Sequence, residues 1–342
     1  EVVIRDWSSD VCSSDLIHVD PSEHRGYMRI SKKDPRYFEF DNGEFFYPIG
    51  HNLRSPNDPR CAMTLDMRVP RDRGMFAYDK YLKGMSESGE TFAEIWMSSW
   101  FLDIEWTERW PGYFGVGDYN LENAWKLDQL LDMCDSYGIM VHLVIDNHGK
   151  LSSWCDPEWN FSPYPETFTA NGRPISASEF FARDDARAAY QKKLDYILAR
   201  FSDHPRIAAI ELVSEFDLVG DDGSRRWYKT GVPRDWLREM LTHIKARDPY
   251  KHPLTVHYAT DASIVDWQTV KNDYVDYVVG DQYWGGQQRN QPGKSSFMNP
   301  AIYQWRKSVL ENTPGKPYLI TEFGGNSDGA PLEVLEADPH CG

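Results

Sequence analysis

Two glutamates close apolar runs that have the length of buried strands. Glu215 ends IAAIELVSE (207–215), and Glu322 ends YLITE (318–322). Two carboxyls flanking a bond can divide the work of hydrolysis. One protonates the leaving oxygen and the other attacks or activates water, which is what glycosidic cleavage requires. Burial among aromatics at a strand end also raises a carboxyl's proton affinity, which suits the acid of such a pair. Glu211 shares strand parity with Val213 and Glu215, so it is expected deeper on the same face, paired with a cation. His142, Asp146 and His148 invite a metal reading, but no HExxH or ordered His/Asp set accompanies them. The expectation is a satisfied core histidine, with no metal and no cofactor.

These groups need a scaffold that gathers strand ends. Short apolar runs alternate with amphipathic helices along the chain, the pattern of parallel βα units. The segment 26–40 and the DNG turn at 41–43 predict an antiparallel hairpin below a barrel. Seven strands follow: 45–50, 92–97, 139–145, 207–213, 254–257, 275–280 and 318–321. Between them, helices are predicted over 78–88, 120–137 (Asn120 as N-cap, Gly138 just past the end), 178–201, 233–247 and 300–311. No Gly-rich phosphate loop follows the first strand, which argues against a doubly wound open sheet. The expected fold is α/β, a (β/α)8 TIM barrel with a short N-terminal β-hairpin segment.

In such a barrel the C-terminal strand ends carry the chemistry. Those positions hold His51, Asn52 and Arg54; Trp100; Asn147 and His148; Ser214 and Glu215; His257 and Tyr258; Asp281 and Tyr283; and Glu322. Trp100 and Trp284, next to strand ends, offer flat faces on which a sugar ring can stack, with Trp106 and Trp110 nearby in sequence.

The 342 residues suit one barrel with insertions, and a 41% hydrophobic content can bury its core. A formal charge of −16 argues against a nucleic-acid partner, and no run has the apolar length of a membrane span. Aromatics reach 14%, which favours a carbohydrate ligand or a large aromatic core. Cys61, Cys134, Cys155 and Cys341 have no metal-type spacing. Asp6–Leu16 (DWSSDVCSSDL) matches the translation of a sequencing-adapter end, so residues 1–16 are expected to be non-native and the reading frame to come from a metagenomic fragment. Residues 17–342 are expected to form a single catalytic domain that stops before the eighth strand.

Four stretches carry a resemblance: FFYPIGHNLR (45–54), SDHPRIAAIELVSEFD (202–217), VVGDQYW (278–284) and KPYLITEFGG (316–325). Together they resemble the clan of retaining (β/α)8 hydrolases that includes family 5 cellulases and mannanases, nearest to cellulase-like proteins that often carry an N-terminal β-sandwich. The resemblance implies Glu215 as acid/base and Glu322 as nucleophile. It implies Tyr283 hydrogen-bonded to that nucleophile, Arg54 as a nearby positive charge, and His51, Asn52, Trp100, Asn147, His148, Ser214, His257 and Trp284 along the substrate. The clan places Asn directly before the acid/base, where its amide holds the 2-hydroxyl. Here Ser214 stands in that place, so the contact is lost, carried by water, or supplied by a residue such as Asn52. The implied partner is a β-linked poly- or oligosaccharide (β-glucan, cellulose or mannan), and the implied protein is a secreted or periplasmic monomer. The alternative is a carbohydrate-binding barrel with weakened catalysis.

Overall fold

The computed structural model describes residues 25–56, 74–223, 226–259, 265–283 and 307–324, together with a short antiparallel pair, Val2–Ile4 and Asp15–Ile17. Seven parallel strands among these residues form the core: β1 (Gly50–Arg54), β2 (Phe92–Trp96), β3 (Met140–Asn147), β4 (Ile207–Ser214), β5 (Leu254–Thr255), β6 (Val278–Tyr283) and β7 (Tyr318–Gly324). The first five pair side by side in sequence order, and β6 pairs with β7. A parallel bridge between His257 and Val279 links the β5 segment to β6, and β7 lies against β1. The result is an α/β core with parallel strands that resembles a (β/α)8 barrel. Every residue of β3 and β4 is buried, as expected of parallel strands covered on both faces.

Below this core, Met28–Ile30, Phe38–Phe40 and Phe45–Phe46 make the expected antiparallel sheet. Met28, Phe38, Phe40 and Phe46 pack with Phe92, Met140 and Ala208, which lie at the start of their strands. The small sheet thus caps the N-terminal end. It also corrects the expected first strand at 45–50. Phe45 and Phe46 belong to the cap, Pro48 has no N–H for a ladder, and the parallel strand starts at Gly50. A Cβ on Gly50 would lie 1.5 Å from the Phe92 carbonyl oxygen, so only glycine allows this approach to β2.

Helix Leu121–Tyr137 starts at Asn120, whose side chain accepts from Asn123 N, and ends at Gly138 in the left-handed region. Cys134 is buried within this helix, as a small hydrophobe would be. The helix expected over 178–201 is two helices, Ala177–Ala182 and Asp184–Phe201, because Arg183 is extended (φ −92°, ψ 131°). A capping box of Ser176 and Glu179 starts the first, and Asp184 and Asp185 stand at the positive N-terminal end of the second. Val232–Arg247 carries Pro233 in its first turn, as predicted. Among the described residues, no helix is long and apolar enough to cross a membrane.

A buried ionic cluster ties the loop after β2 to β3 and its neighbours. Lys150 Nζ lies 2.7 Å from Asp103 and 2.6 Å from Asp146. Lys193 Nζ lies 3.2 Å from both, and the Tyr190 hydroxyl donates to Asp146 at 2.6 Å.

Candidate active site

Glu215 sits one residue past β4, at φ 55° and ψ 51°, as the chain turns into the 3-10 turn Phe216–Leu218. The left-handed region is unfavourable for a residue with a Cβ. It is held from both sides: Phe216 N donates to His257 O at 2.8 Å, and Leu218 N donates to Glu215 O at 2.9 Å. Glu215 Oε2 lies 2.9 Å from His148 Nδ1, while His148 Nε2 lies 3.4 Å from Asp156. Burial alone pushes the Glu215 carboxyl up. The contact with His148 and the charges of His148 and His257 outweigh it, so its proton affinity is lowered. Burial likewise pushes the His148 imidazole down, but Glu215 and Asp156 leave it raised. The expectation that burial raises Glu215 is therefore overturned, because a strand-end position does not reveal which imidazole will face it.

Glu322 lies within β7 rather than beyond its end, since the backbone ladder continues through Asp281↔Glu322 to Tyr283↔Gly324. β6 likewise extends beyond the predicted Gly280. Asn52 Nδ2 donates to Glu322 Oε1 at 3.1 Å across the β1–β7 junction. Arg54, at φ 41°, lays its guanidinium over the rings of Trp96 and Trp100, at 4.4 and 5.3 Å from their centroids. Trp100 also donates from Nε1 to Ser55 Oγ at 2.9 Å. Of the other tryptophans, Trp106 is buried in the core.

His51 is not brought to the site. It alternates with Asn52 along β1 and contacts Glu90, ahead of β2, at 2.5 Å. Ser214 is fully buried, with Oγ 3.1 Å from His257 Nδ1, so its hydroxyl turns into the barrel. The amide brought beside a catalytic candidate is that of Asn52. Asn147 donates to Glu158 at 2.9 Å beside His148. The Tyr283 backbone lies in β6; its side chain and Trp284 fall outside the described residues. Tyr258 packs against Phe216 as part of the core.

Beneath Glu215 and Glu322 lies a chain of buried acids and imidazoles. Glu211 faces His142 Nε2 at 3.2 Å and His257 Nδ1 at 3.8 Å, so its partners are histidines rather than the Lys or Arg that a buried acid commonly takes. Glu94 faces His142 Nδ1 at 3.7 Å and accepts from Trp96 Nε1 at 2.6 Å. Burial, reinforced by neighbouring carboxylates, pushes both acids up to about 8. Burial pulls His142 down to about 4, so it is neutral at physiological pH. His257 Nε2 lies 2.9 Å from Asp281, and acidic neighbours raise this imidazole well above its ordinary range despite burial.

Asp281 is legible in the sequence as a strand-end polar group, without a role. Glu94 carries no such signal, being a lone acid inside an apolar strand, as Glu211 is. The three residues that invited a metal reading separate: Asp146 joins the lysines, His148 joins Glu215, and His142 joins Glu94 and Glu211. Glu94, His142 and Glu211 do bring one donor atom each within 4.8 Å of one another. Glu94 faces Nδ1 of this imidazole and Glu211 faces Nε2.

No protein-family model matches the chain. It is 21% identical over 238 residues to a probable mannan endo-1,4-beta-mannosidase C of Aspergillus terreus, covering 66% of this chain and 53% of that one. It is 23% identical over 276 residues to a probable mannan endo-1,4-beta-mannosidase F of Emericella nidulans, covering 75% and 58%. The chain thus spans little more than half the length of these curated relatives. A glycoside hydrolase family 5 mannosidase from Rhizomucor miehei superposes with a TM-score of 0.56 at 16% identity, over 92% of this chain and 78% of that one. At that identity the likeness shows a shared fold.

Proposed function

We propose that the chain is a retaining hydrolase of β-linked glycans, of the family 5 kind, working by double displacement. Glu322 attacks the anomeric carbon while Glu215 protonates the leaving oxygen. Glu215 then takes a proton from the water that releases the sugar. One observation carries the reading: Glu215, just past β4, and Glu322, in the C-terminal half of β7, stand in unlike settings. An amide donates to Glu322, and an imidazole faces Glu215. Unlike settings are what separates the roles of two carboxyls in one site. The likeness to mannan-directed relatives supports a β-mannan or related β-1,4-glycan as substrate.

The lowered proton affinity of Glu215 favours the second reading, a barrel that binds glycan with weak turnover. Purified protein incubated with β-mannan, cellulose and mixed-linkage glucan separates the two. The proposal expects hydrolysis, with the first-formed product keeping the β-anomeric configuration by NMR. An α-anomer as first product would overturn the double displacement, and binding without any new reducing ends would favour the second reading.

A further inference from the structure

A third carboxyl stands with the two proposed catalytic ones. Asp281 comes from β6, where it pairs in register with Glu322 on β7. It is fully buried, with Oδ1 2.9 Å from His257 Nε2. Its carboxylate neighbours are Glu322 and Glu215, and its side chain reaches Glu215. Neither of its oxygens has a protein donor in good hydrogen-bond geometry. A buried carboxyl in that position is satisfied when it is itself the donor, through its own O–H, to the carboxylate beside it. Two adjacent carboxyls in a low-dielectric site resist ionising together, so at rest they hold one proton between them.

We propose that Asp281 shares one proton with Glu215, so that the acid of the reaction is a two-carboxyl pair gripped between His257 and His148. The inference rests on the hydrolase reading for its catalytic consequence. Asp281 is a positioning residue, acting through Glu215. In the first half-reaction the bond to the leaving oxygen breaks as the bond to Glu322 forms, and the Glu215 proton goes to that oxygen. That is the pair's one proton, so both carboxylates stay ionised between the His148 and His257 imidazoles until the second half. In the second half, water adds to the anomeric carbon, the bond to Glu322 breaks, and the water's proton goes to Glu215, restoring the pair.

Facing this pair are Glu211 from β4, Asp217 from the turn after it, His257 from the β5 segment, Glu322 from β7, and His148 and Cys155 from the loop after β3. Ser214 lies against His257, and Asp156 and Glu158 lie against His148. Without Asp281, Glu215 keeps both imidazoles but loses the partner that holds its proton.

In Asp281→Asn, kcat/KM on an unsubstituted β-1,4-oligosaccharide should lose its alkaline limb at least about one pH unit earlier than in wild type. A dinitrophenyl glycoside, whose leaving group departs without a proton, should keep its rate within about threefold. An unmoved limb, or equal slowing of both substrates, would overturn the proposal.

Infrared titration of the protonated-carboxyl band reads the shared proton without turnover. Near pH 8, wild type should lose a larger protonated-carboxyl band than Asp281→Asn, in which only Glu94 and Glu211 contribute. Should that variant not fold, Glu215→Gln should move part of the wild-type band to lower pH by removing the adjacent negative charge. A band equal in wild type and Asp281→Asn, or unmoved in Glu215→Gln, overturns the shared proton. The larger wild-type band in a protein that hydrolyses no glycan overturns the hydrolase reading alone.

Discussion

The two buried charge clusters flanking β3 differ in balance. On one side Asp103 and Asp146 meet Lys150 and Lys193, two anions against two cations, and the lysines hold Asp146 below the ordinary carboxylate range despite full burial. On the other side the basic groups that Glu94, Glu211, Asp281 and Glu215 meet, among the contacts described, are the imidazoles of His142, His148 and His257. A balanced cluster keeps its charges and fixes the loops above the barrel. An acid-rich cluster without Lys or Arg meets its burial cost by keeping protons. The first is a structural lock. In the second, Glu94, Glu211 and Asp281 hold their protons well above the ordinary carboxylate range.

The largest effect should come from unbalancing the lock. Lys193→Met leaves two buried carboxylates facing one ammonium, and should cost about 3–5 kcal/mol by denaturant unfolding. A loss near zero would mean that the cluster is not paired as described.

Next comes the pH response of the acid-rich side. Glu94 and Glu211 titrate near 8 when folded and near about 4.3 when unfolded. The folded chain therefore holds more protons across that window, and stability should fall as pH rises through it. Glu211→Gln should flatten the fall in Tm between about pH 5 and 8; an unchanged slope would place the protons elsewhere.

His148→Gln tests the mouth of the site. Removing the imidazole beside Glu215 should move the alkaline limb of hydrolysis to higher pH, the opposite sense to Asp281→Asn. Movement in the same sense would contradict the roles given to both. The smallest effect belongs to Ser214→Ala, which takes an acceptor from buried His257 and should cost about 1–2 kcal/mol of stability. If the hydroxyl served substrate instead, KM would rise with stability unchanged.

Much of this was legible in the sequence. The runs at 207–213 and 318–321 are long, apolar and β-branched enough to mark strands, and the caps at Asn120 and Gly138 bound their helix without tertiary help. Register across strands was less legible. FFYPIG looks like a barrel strand until Pro48 and the Gly50–Phe92 approach show that half of it caps the base. Glu322 and Asp281 lie inside ladders because backbone pairing continues regardless of side-chain polarity. The partners of each acid were hidden for the same reason. Alternation puts Glu211 and Glu215 on one face, but only the packed sheet brings His142, His148, His257 and Asp281 against them. His51 shows the limit from the other direction: its sequence position matched a site, and the pleat turned it away.

The division of labour between Glu322 and Glu215 is tested most directly by trapping the glycosyl-enzyme. The protein would be treated with a 2-deoxy-2-fluoro-β-glycosyl fluoride of the sugar it hydrolyses, digested, and the labelled peptide identified by mass spectrometry. The account predicts one sugar per chain, attached through Glu322, with no labelling in Glu322→Gln and continued labelling in Glu215→Gln because fluoride leaves without a proton. A sugar attached to Glu215, or undiminished labelling in Glu322→Gln, would contradict it.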